Sequence, residues 1–280
     1  MAMSSECPVC KAKNSKYLGE KNRIPIMACN QCTHVFADLA SYDFDHEDLD
    51  VFREGFTHGL MRTDTDYYDH LVQGEGPGLP TSITATKVLD IVREAGFEKG
   101  LWLDIGSGSG HLVEQAQKRG FEVSGLEPGG WGQIAAQRKN IKISQGFLGE
   151  NLDRSKYSVV SATDVVEHVP DPVQFLRLMS SYLDDGGVMV ISVPCYDSLD
   201  AKVLGLNWPM LAPPTHRHFF TRKSLSIAIA QSGLRPLKMR QFNIRRLLGL
   251  SRYRAVRELM DMFICGDQLV CMMAIEGKKL

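Results

Sequence analysis

Apolar residues in "SITATKVLDIVREAG" (82–96) recur at helical spacing and the run stops at Gly96, so the stretch predicts a helix closed by a glycine. Beyond it, short continuous apolar runs alternate with amphipathic stretches. "LWLDI" (101–105), "FEVSGLE" (121–127), "IKISQ" (141–145), "YSVVSATDV" (157–165), "GVMVISVP" (187–194) and "QLVCMMAIE" (268–276) predict strands. "HLVEQAQKR" (111–119), "WGQIAAQRK" (131–139) and "DPVQFLRLMSSYLDDGG" (171–187) predict helices, the last ended by its glycines. Strands alternating with helices of this length imply an α/β fold, a doubly wound parallel sheet with helices on both faces. A ligand of such a sheet lies beyond the carboxyl ends of its strands, where the strand order reverses.

The N-terminal part reads differently. Cys7 and Cys10 in "CPVC" precede Cys29 and Cys32 in "CNQC", with eighteen residues between the pairs. That spacing predicts a zinc ribbon over 1–37, in which two knuckles supply four thiolates to a structural ion. A disulfide pair and a redox-active pair are the competing readings; the first needs an exported chain, the second does not account for two pairs flanking a small insert. His34 is expected in a supporting or surface position rather than as a ligand. Cys195, Cys265 and Cys271 lie in apolar surroundings and are expected in the core. Residues 38–80 are acidic, aromatic and irregular, with "GEGPGLP" (74–80) as a hinge, so they predict a connector or lid with some helix.

Composition changes this picture little. A chain of 280 residues with 44% hydrophobic residues can bury a proper core. The start, "MAMSSECPVC", has no basic segment followed by an apolar one, and the longest apolar runs are strand-sized, so neither secretion nor a membrane span is expected and the predicted location is cytoplasmic. The formal net charge is −1, yet Arg217 to Arg257 holds eleven Lys or Arg and no Asp or Glu. An amphipathic helix with a solvated basic face explains most of that segment; attraction of an anionic, carrier-linked or nucleic-acid partner is the sharper alternative.

Chemistry concentrates where the first strand of the sheet meets its helix. Gly106, Gly108 and Gly110 fall at alternate positions there, two places after Asp104. A dinucleotide fingerprint would put the third glycine three places after the second, and a P-loop would end in Gly-Lys-Ser/Thr; neither occurs. Glu127 ends the second strand, where a carboxylate can accept both hydroxyls of a ribose.

The Asp-x-Gly-x-Gly-x-Gly pattern resembles motif I of the class I S-adenosylmethionine-dependent methyltransferases. "DVVEHVPDP" (164–172), "LDDGGVMVISVP" (183–194) and the Pro-Pro-x-His-x-x-x-Phe core after "LNWPMLA" resemble one branch of them, which includes deoxysugar C-methyltransferases and enzymes of glycan and secondary-metabolite clusters and commonly carries a zinc ribbon. The resemblance implies a Rossmann-like seven-stranded sheet over 81–280. It implies that Asp104, Gly106, Ser107, Gly108 and Gly110 hold the methionine part of the cofactor, that Glu127 with Pro128 holds the ribose, and that Phe147, Asp164 and Val165 flank it. Glu167 and His168 would then sit just past the fourth strand and His216 in a lid over the acceptor. These three are the candidate catalytic groups, with imidazole suited to removing an acceptor proton. The acceptor is expected to be a small molecule. An RNA methyltransferase and a non-catalytic scaffold are the alternatives, the first weakened because "DVVEH" lacks the Asn/Asp-Pro-Pro-Tyr/Phe of many base methyltransferases. Two features depart from the branch: the sugar C-methyltransferases usually continue into a further C-terminal domain, whereas "QLVCMMAIE" reads here as the last strand expected, and no acid follows the strand before Phe147.

Overall fold

The computed structural model describes residues 6–40, 64–150, 156–242 and 267–277. In chain order these form strands β1 (Ser15–Lys21), β2 (Ile24–Cys29) and β3 (Val35–Ala37), helices α1 (Asp64–Val72) and α2 (Pro80–Glu94), then β4 (Leu101–Ile105), α3 (His111–Gln117), β5 (Glu122–Glu127), α4 (Trp131–Lys139), β6 (Ile143–Gln145) and β7 (Tyr157–Thr163). There follow α5 (Pro172–Ser180), β8 (Leu183–Pro194), α6 (Leu199–Leu204), β9 (His218–Phe219), α7 (Arg222–Gln231), β10 (Leu234–Phe242) and β11 (Gln268–Ile275). Seven strands make one sheet in the order β10-β11-β8-β7-β4-β5-β6, and four make a second in the order β1-β2-β3-β9. The mixed α/β, Rossmann-like architecture expected from the alternation is therefore present. Contacts divide the chain into two compact units, one of Met1–Tyr42, Asp164–Arg177 and Ser192–Glu276, the other of Asp43–Thr163, Leu178–Ile191 and Gly277–Leu280.

In the second unit β4 lies between β5 and β7, parallel to both, and β6 extends the sheet beside β5. The strand order thus reverses at β4, which places the switch point at the carboxyl ends of β4 and β7, beside the turn that leaves β4. Trp102 is fully buried under the sheet, edge-on to Phe121 at 5.0 Å, and its indole N–H donates to Ser161 Oγ at 2.7 Å. Buried Val88, Leu89, Ile91 and Val92 form the apolar stripe of α2, the period read from the sequence. Pro80 starts that helix, where a missing N–H costs nothing.

The first unit has its own core. Ile24, Ile26, Val35, Trp208, Leu211 and Phe219 pack together behind the four-stranded sheet, in which β9 pairs with β3. Helix α7 begins with a capping box: Thr221 Oγ1 accepts the Ser224 N–H at 3.0 Å and Ser224 Oγ accepts the Thr221 N–H at 2.9 Å. β10 pairs antiparallel with β11, with a register shift between Pro236 and Lys238. Proline has no N–H to give to a ladder, so the bulge falls where one would be missing.

Several expectations need correction. The helix predicted over 171–187 ends at Ser180, and its glycines belong to β8. A side chain on Gly187 would stand 2.9 Å from the Tyr157 carbonyl, so that glycine lets two strands approach and does not terminate a helix. Leu234–Phe242, read only as part of a basic stretch, is a strand. His34 is fully buried, which removes its surface placement. Cys195 and Cys271 are fully buried. Cys265, the connector residues 41–63 and the basic residues 243–266 lie outside the described residues. Among the described residues no helix is long and apolar enough to cross a membrane.

Candidate functional site

At the end of β4 the chain turns back through three glycines, all with positive φ: Gly106 at 67°, Gly108 at 54° and Gly110 at 72°. An L side chain is strained in that region. The Gly106 and Ser107 N–H groups donate to the Leu126 carbonyl at 2.8 and 3.2 Å, which holds the turn against β5. Gly108 instead gives its N–H to Glu127 Oε2 at 2.8 Å, and Gly129 gives its N–H to Glu127 Oε1 at 3.0 Å. Each Glu127 oxygen therefore has one backbone donor and a lone pair to spare. Burial pushes the Glu127 carboxyl up to about 6, against the pull of those two donors.

Asp104 is buried beneath the turn, and its Oδ1 accepts the Ser161 hydroxyl at 2.6 Å, so Trp102, Ser161 and Asp104 form one polar chain along a single face of the sheet. Burial pushes Asp104 up to about 7; the Ser161 hydrogen bond opposes the rise and the Glu127 charge adds to it. The Ser107 hydroxyl lies over Gly125 of β5, so Ser107 contributes to the turn through its backbone and not through its side chain. Pro128 follows Glu127, with its carbonyl accepting from Gln145, and Phe147 is exposed beyond β6.

Sequence reasoning missed Glu75. Its carboxylate accepts Lys139 Nζ at 2.6 and 2.8 Å and the Ser109 hydroxyl, and stands 3.2 Å from His111 Nδ1. Burial would raise this carboxyl, but those partners hold it down at about 2. It fastens the glycine turn and the start of α3 to residues preceding the sheet. Tyr67 lies against Trp131, ring centroids 4.4 Å apart, and Tyr68 is buried with the Arg138 guanidinium 5.0 Å above its ring.

The remaining candidates lie in the first unit. Asp164 has φ 55°, donates its N–H to the Ser192 carbonyl and accepts from Ser192 Oγ and Gln268 Nε2. Val165 gives its carbonyl to the His168 N–H at 2.9 Å, making a tight turn that brings Glu167 inward. Glu167 is 1% exposed, and burial followed by the Asp164 charge raises its carboxyl well above the ordinary range. His168 and His216 face each other edge-on at 4.7 Å. Burial and then the neighbouring His216 hold His168 down at about 3, so it is neutral. The segment is fixed from behind by His218, whose Nε2 meets the Val169 carbonyl at 2.8 Å. That carbonyl can only accept, so His218 Nε2 carries the proton; Nδ1 then accepts, at 3.2 Å, from His34 Nε2.

A family profile described as a methyltransferase domain matches residues 81–238. The chain belongs to that methyltransferase family. Over 144 residues it is 33% identical to a ubiquinone biosynthesis O-methyltransferase of Azorhizobium caulinodans, covering 47% of this chain and 57% of the relative. Over 119 residues it is 32% identical to the protein of the same name from Caulobacter vibrioides, covering 37% and 44%. This chain thus spans about half the length of the curated relatives it matches. A Thermotoga maritima methyltransferase titled as a possible histamine N-methyltransferase superposes with a TM-score of 0.56 at 15% identity, covering 75% of this chain and 95% of that one. The magnesium protoporphyrin IX methyltransferase of Synechocystis, with bound S-adenosylhomocysteine, superposes with a TM-score of 0.52 at 15% identity, covering 83% and 96%.

Outside the matched span, the N-terminal cysteines of the chain cluster. Cys7 Sγ is 3.5 Å from Cys32 Sγ and Cys10 Sγ is 3.4 Å from Cys29 Sγ, with all four sulfurs within 4.8 Å of one another. A zinc ion with four thiolates about 2.3 Å away has sulfurs about 3.8 Å apart. Four sulfurs at these separations fit it. None of the four forms a disulfide.

Proposed function

We propose that the chain transfers a methyl group from S-adenosylmethionine to an oxygen of a small-molecule acceptor. The observation that carries this reading is the cradle at the switch point. A turn with positive φ at each of its three glycines is clamped to a buried carboxylate that keeps one spare lone pair on each oxygen. Those lone pairs suit the two hydroxyls of a ribose, and the family match supplies the cofactor class. Asp104 and the turn would hold the methionine part, Glu127 and Pro128 the ribose, with Phe147 beside them; the family resemblance adds Asp164 and Val165 to the cofactor residues. When bound, the cofactor supplies an electrophilic methyl on a sulfonium sulfur. The chain's own part is to hold the acceptor in line and accept its proton, a task for His216 before His168, since burial makes His168 a weak base; both rings are oriented by backbone carbonyls.

The acceptor reading rests on the O-methyltransferase names of the relatives and on the resemblance to enzymes of sugars, glycan precursors and secondary metabolites. We assign the N-terminal residues 1–37 to a zinc ribbon with Cys7, Cys10, Cys29 and Cys32 as ligands, 38–80 to a connector and 81–280 to the cofactor-binding domain. Calorimetric titration with S-adenosylmethionine tests the core of this reading, with NADH as control. Saturable binding of the first only, lost in Glu127→Ala, is expected; a folded, zinc-loaded protein that binds neither ligand would leave the scaffold reading in its place.

A further inference from the structure

Glu167, His168 and His216 offer ligand atoms that all lie within 4.8 Å of one another, on two segments of one compact unit. We propose that these three side chains form a second metal site, distinct from the cysteine cluster, for a divalent transition metal of the zinc or cobalt kind.

The tautomers are the first support. His168 Nδ1 lies 2.8 Å from the Thr215 carbonyl and His216 Nδ1 lies 2.6 Å from the Met210 carbonyl. A carbonyl only accepts, so each Nδ1 carries the proton and each Nε2 holds the lone pair that a metal requires. An imidazole N–H given to a backbone carbonyl is the usual support of a metal-binding histidine, because it fixes both ring orientation and tautomer. Both rings have it.

Glu167 is the second, independent support. It is 1% exposed, and neither carboxylate oxygen has a hydrogen-bond partner among the described residues. His168 Nε2 is 4.0 Å from Oε1, beyond hydrogen-bond range. A buried carboxyl group without a hydrogen-bond partner is unfavourable whether protonated or ionised, and a cation is a partner that offsets this directly. The backbone meanwhile holds the residue firmly, since the Glu167 carbonyl accepts from the N–H groups of Arg217 and His218 at 2.8 and 3.1 Å. The same pair of bonds ties the Glu167–His168 segment to the loop that carries His216. Ligand atoms of a tetrahedral site stand about 3.4 Å apart at bond lengths of about 2.1 Å. The 4.0 Å separation of Nε2 and Oε1 closes to that value by small side-chain rotations.

Two imidazoles and one carboxylate suit zinc, cobalt, manganese or iron(II), and three protein ligands leave coordination positions open. Resting on the methyltransferase reading, an open position would take the acceptor oxygen, so the acceptors favoured are those with a hydroxyl flanked by a second oxygen donor.

The test uses zinc-replete protein, with one zinc per chain fixed by elemental analysis, titrated with cobalt(II) by calorimetry and visible absorption. The expected result is one further equivalent bound below about 100 μM, with d–d bands and no rise in the near-ultraviolet charge-transfer absorption that thiolates produce. Glu167→Gln and His216→Ala should each weaken binding at least tenfold. Circular dichroism and retained S-adenosylmethionine binding show that the variants are folded. Absence of a further equivalent in the parent protein, or equal affinity in both variants, overturns the site. Cofactor binding without cobalt binding leaves the methyltransferase reading standing with the histidines as bases. Cobalt binding without cofactor binding removes that reading and keeps the metal site.

Discussion

Glu127 carries the clearest prediction at the scale of single residues. Its carboxyl titrates near 6, and only the ionised form offers an acceptor lone pair on each oxygen to a ribose. Protonation replaces an acceptor with a donor, so cofactor affinity should be fully present above about 7 and lost as pH falls through 6. Through Glu127 the linkage is one proton, which by itself gives a Kd about tenfold larger at pH 5 than at pH 7, and Asp104, pushed up to about 7 under the same turn, adds to the loss in the same direction. Calorimetry across that range checks it, and a flat profile would remove Glu127 from the ribose. Asp104 and Glu127 were legible in the sequence because carboxylates at the ends of strands, beside a glycine turn, stand out locally. Glu75 and Ser161 were not. Glu75 acts on Ser109 and His111 from a segment that the sequence presents as a polar hinge, and Ser161 is an ordinary serine in an apolar strand until Asp104 and Trp102 are seen on either side of it.

At the scale of elements, the glycine turn and the four-stranded sheet can each be perturbed alone. A methyl group on Gly110 would stand 2.3 Å from Ile141 Cδ1 at a φ of 72°, whereas one on Gly96, at a φ of 90°, would meet nothing within 4 Å. Gly96→Ala should therefore cost only backbone strain, about 1 kcal/mol, and Gly110→Ala about 2–4 kcal/mol, since overpacking adds to the strain. Equal urea midpoints for the two variants would show that the Ile141 contact is soft. For the sheet, removal of metal with a chelator should release the amides of β2 and β3 to hydrogen exchange, because four thiolates at the cysteine cluster then repel or protonate and the two knuckles are left with hydrogen bonds such as those between Asn14 and Asn30. Exchange unchanged by chelation would place the stability of these strands in the Ile24, Trp208 and Phe219 core alone. β4 and α4, bounded by turn residues, were read from the sequence to the residue, and the periodic α2 to within two. β10 was not, because its partly exposed cations mask the alternation, and α5 was overextended because glycines that admit neighbouring strands look, in one dimension, like glycines that end helices.

For the molecule as a whole, the alternation of strands and helices made the fold class legible, since no other arrangement buries that many two-faced strands under helices. What it could not show is that β9, inserted after the catalytic-domain sheet is nearly complete, returns to pair with the N-terminal β3 and so joins residues some 180 positions apart in one small sheet. Binding at the cradle of the second unit has a global readout all the same. A ligand that binds only folded protein stabilises it by about 2.7 kcal/mol at a hundred times its Kd, and about 2–4 °C per kcal/mol follows for a domain of 150–250 residues. S-adenosylmethionine at that excess should raise the melting temperature by about 5–10 °C, and NADH at the same concentration should leave it unchanged. Glu127→Ala should abolish the rise and also lower the unliganded melting temperature, because the Gly108 and Gly129 N–H groups lose their acceptor, a loss offset in part by relief of an unfavourable carboxyl burial. A rise retained in that variant would mean that the ligand is held elsewhere, and a rise with NADH would return the glycine turn to the dinucleotide class that its spacing argued against.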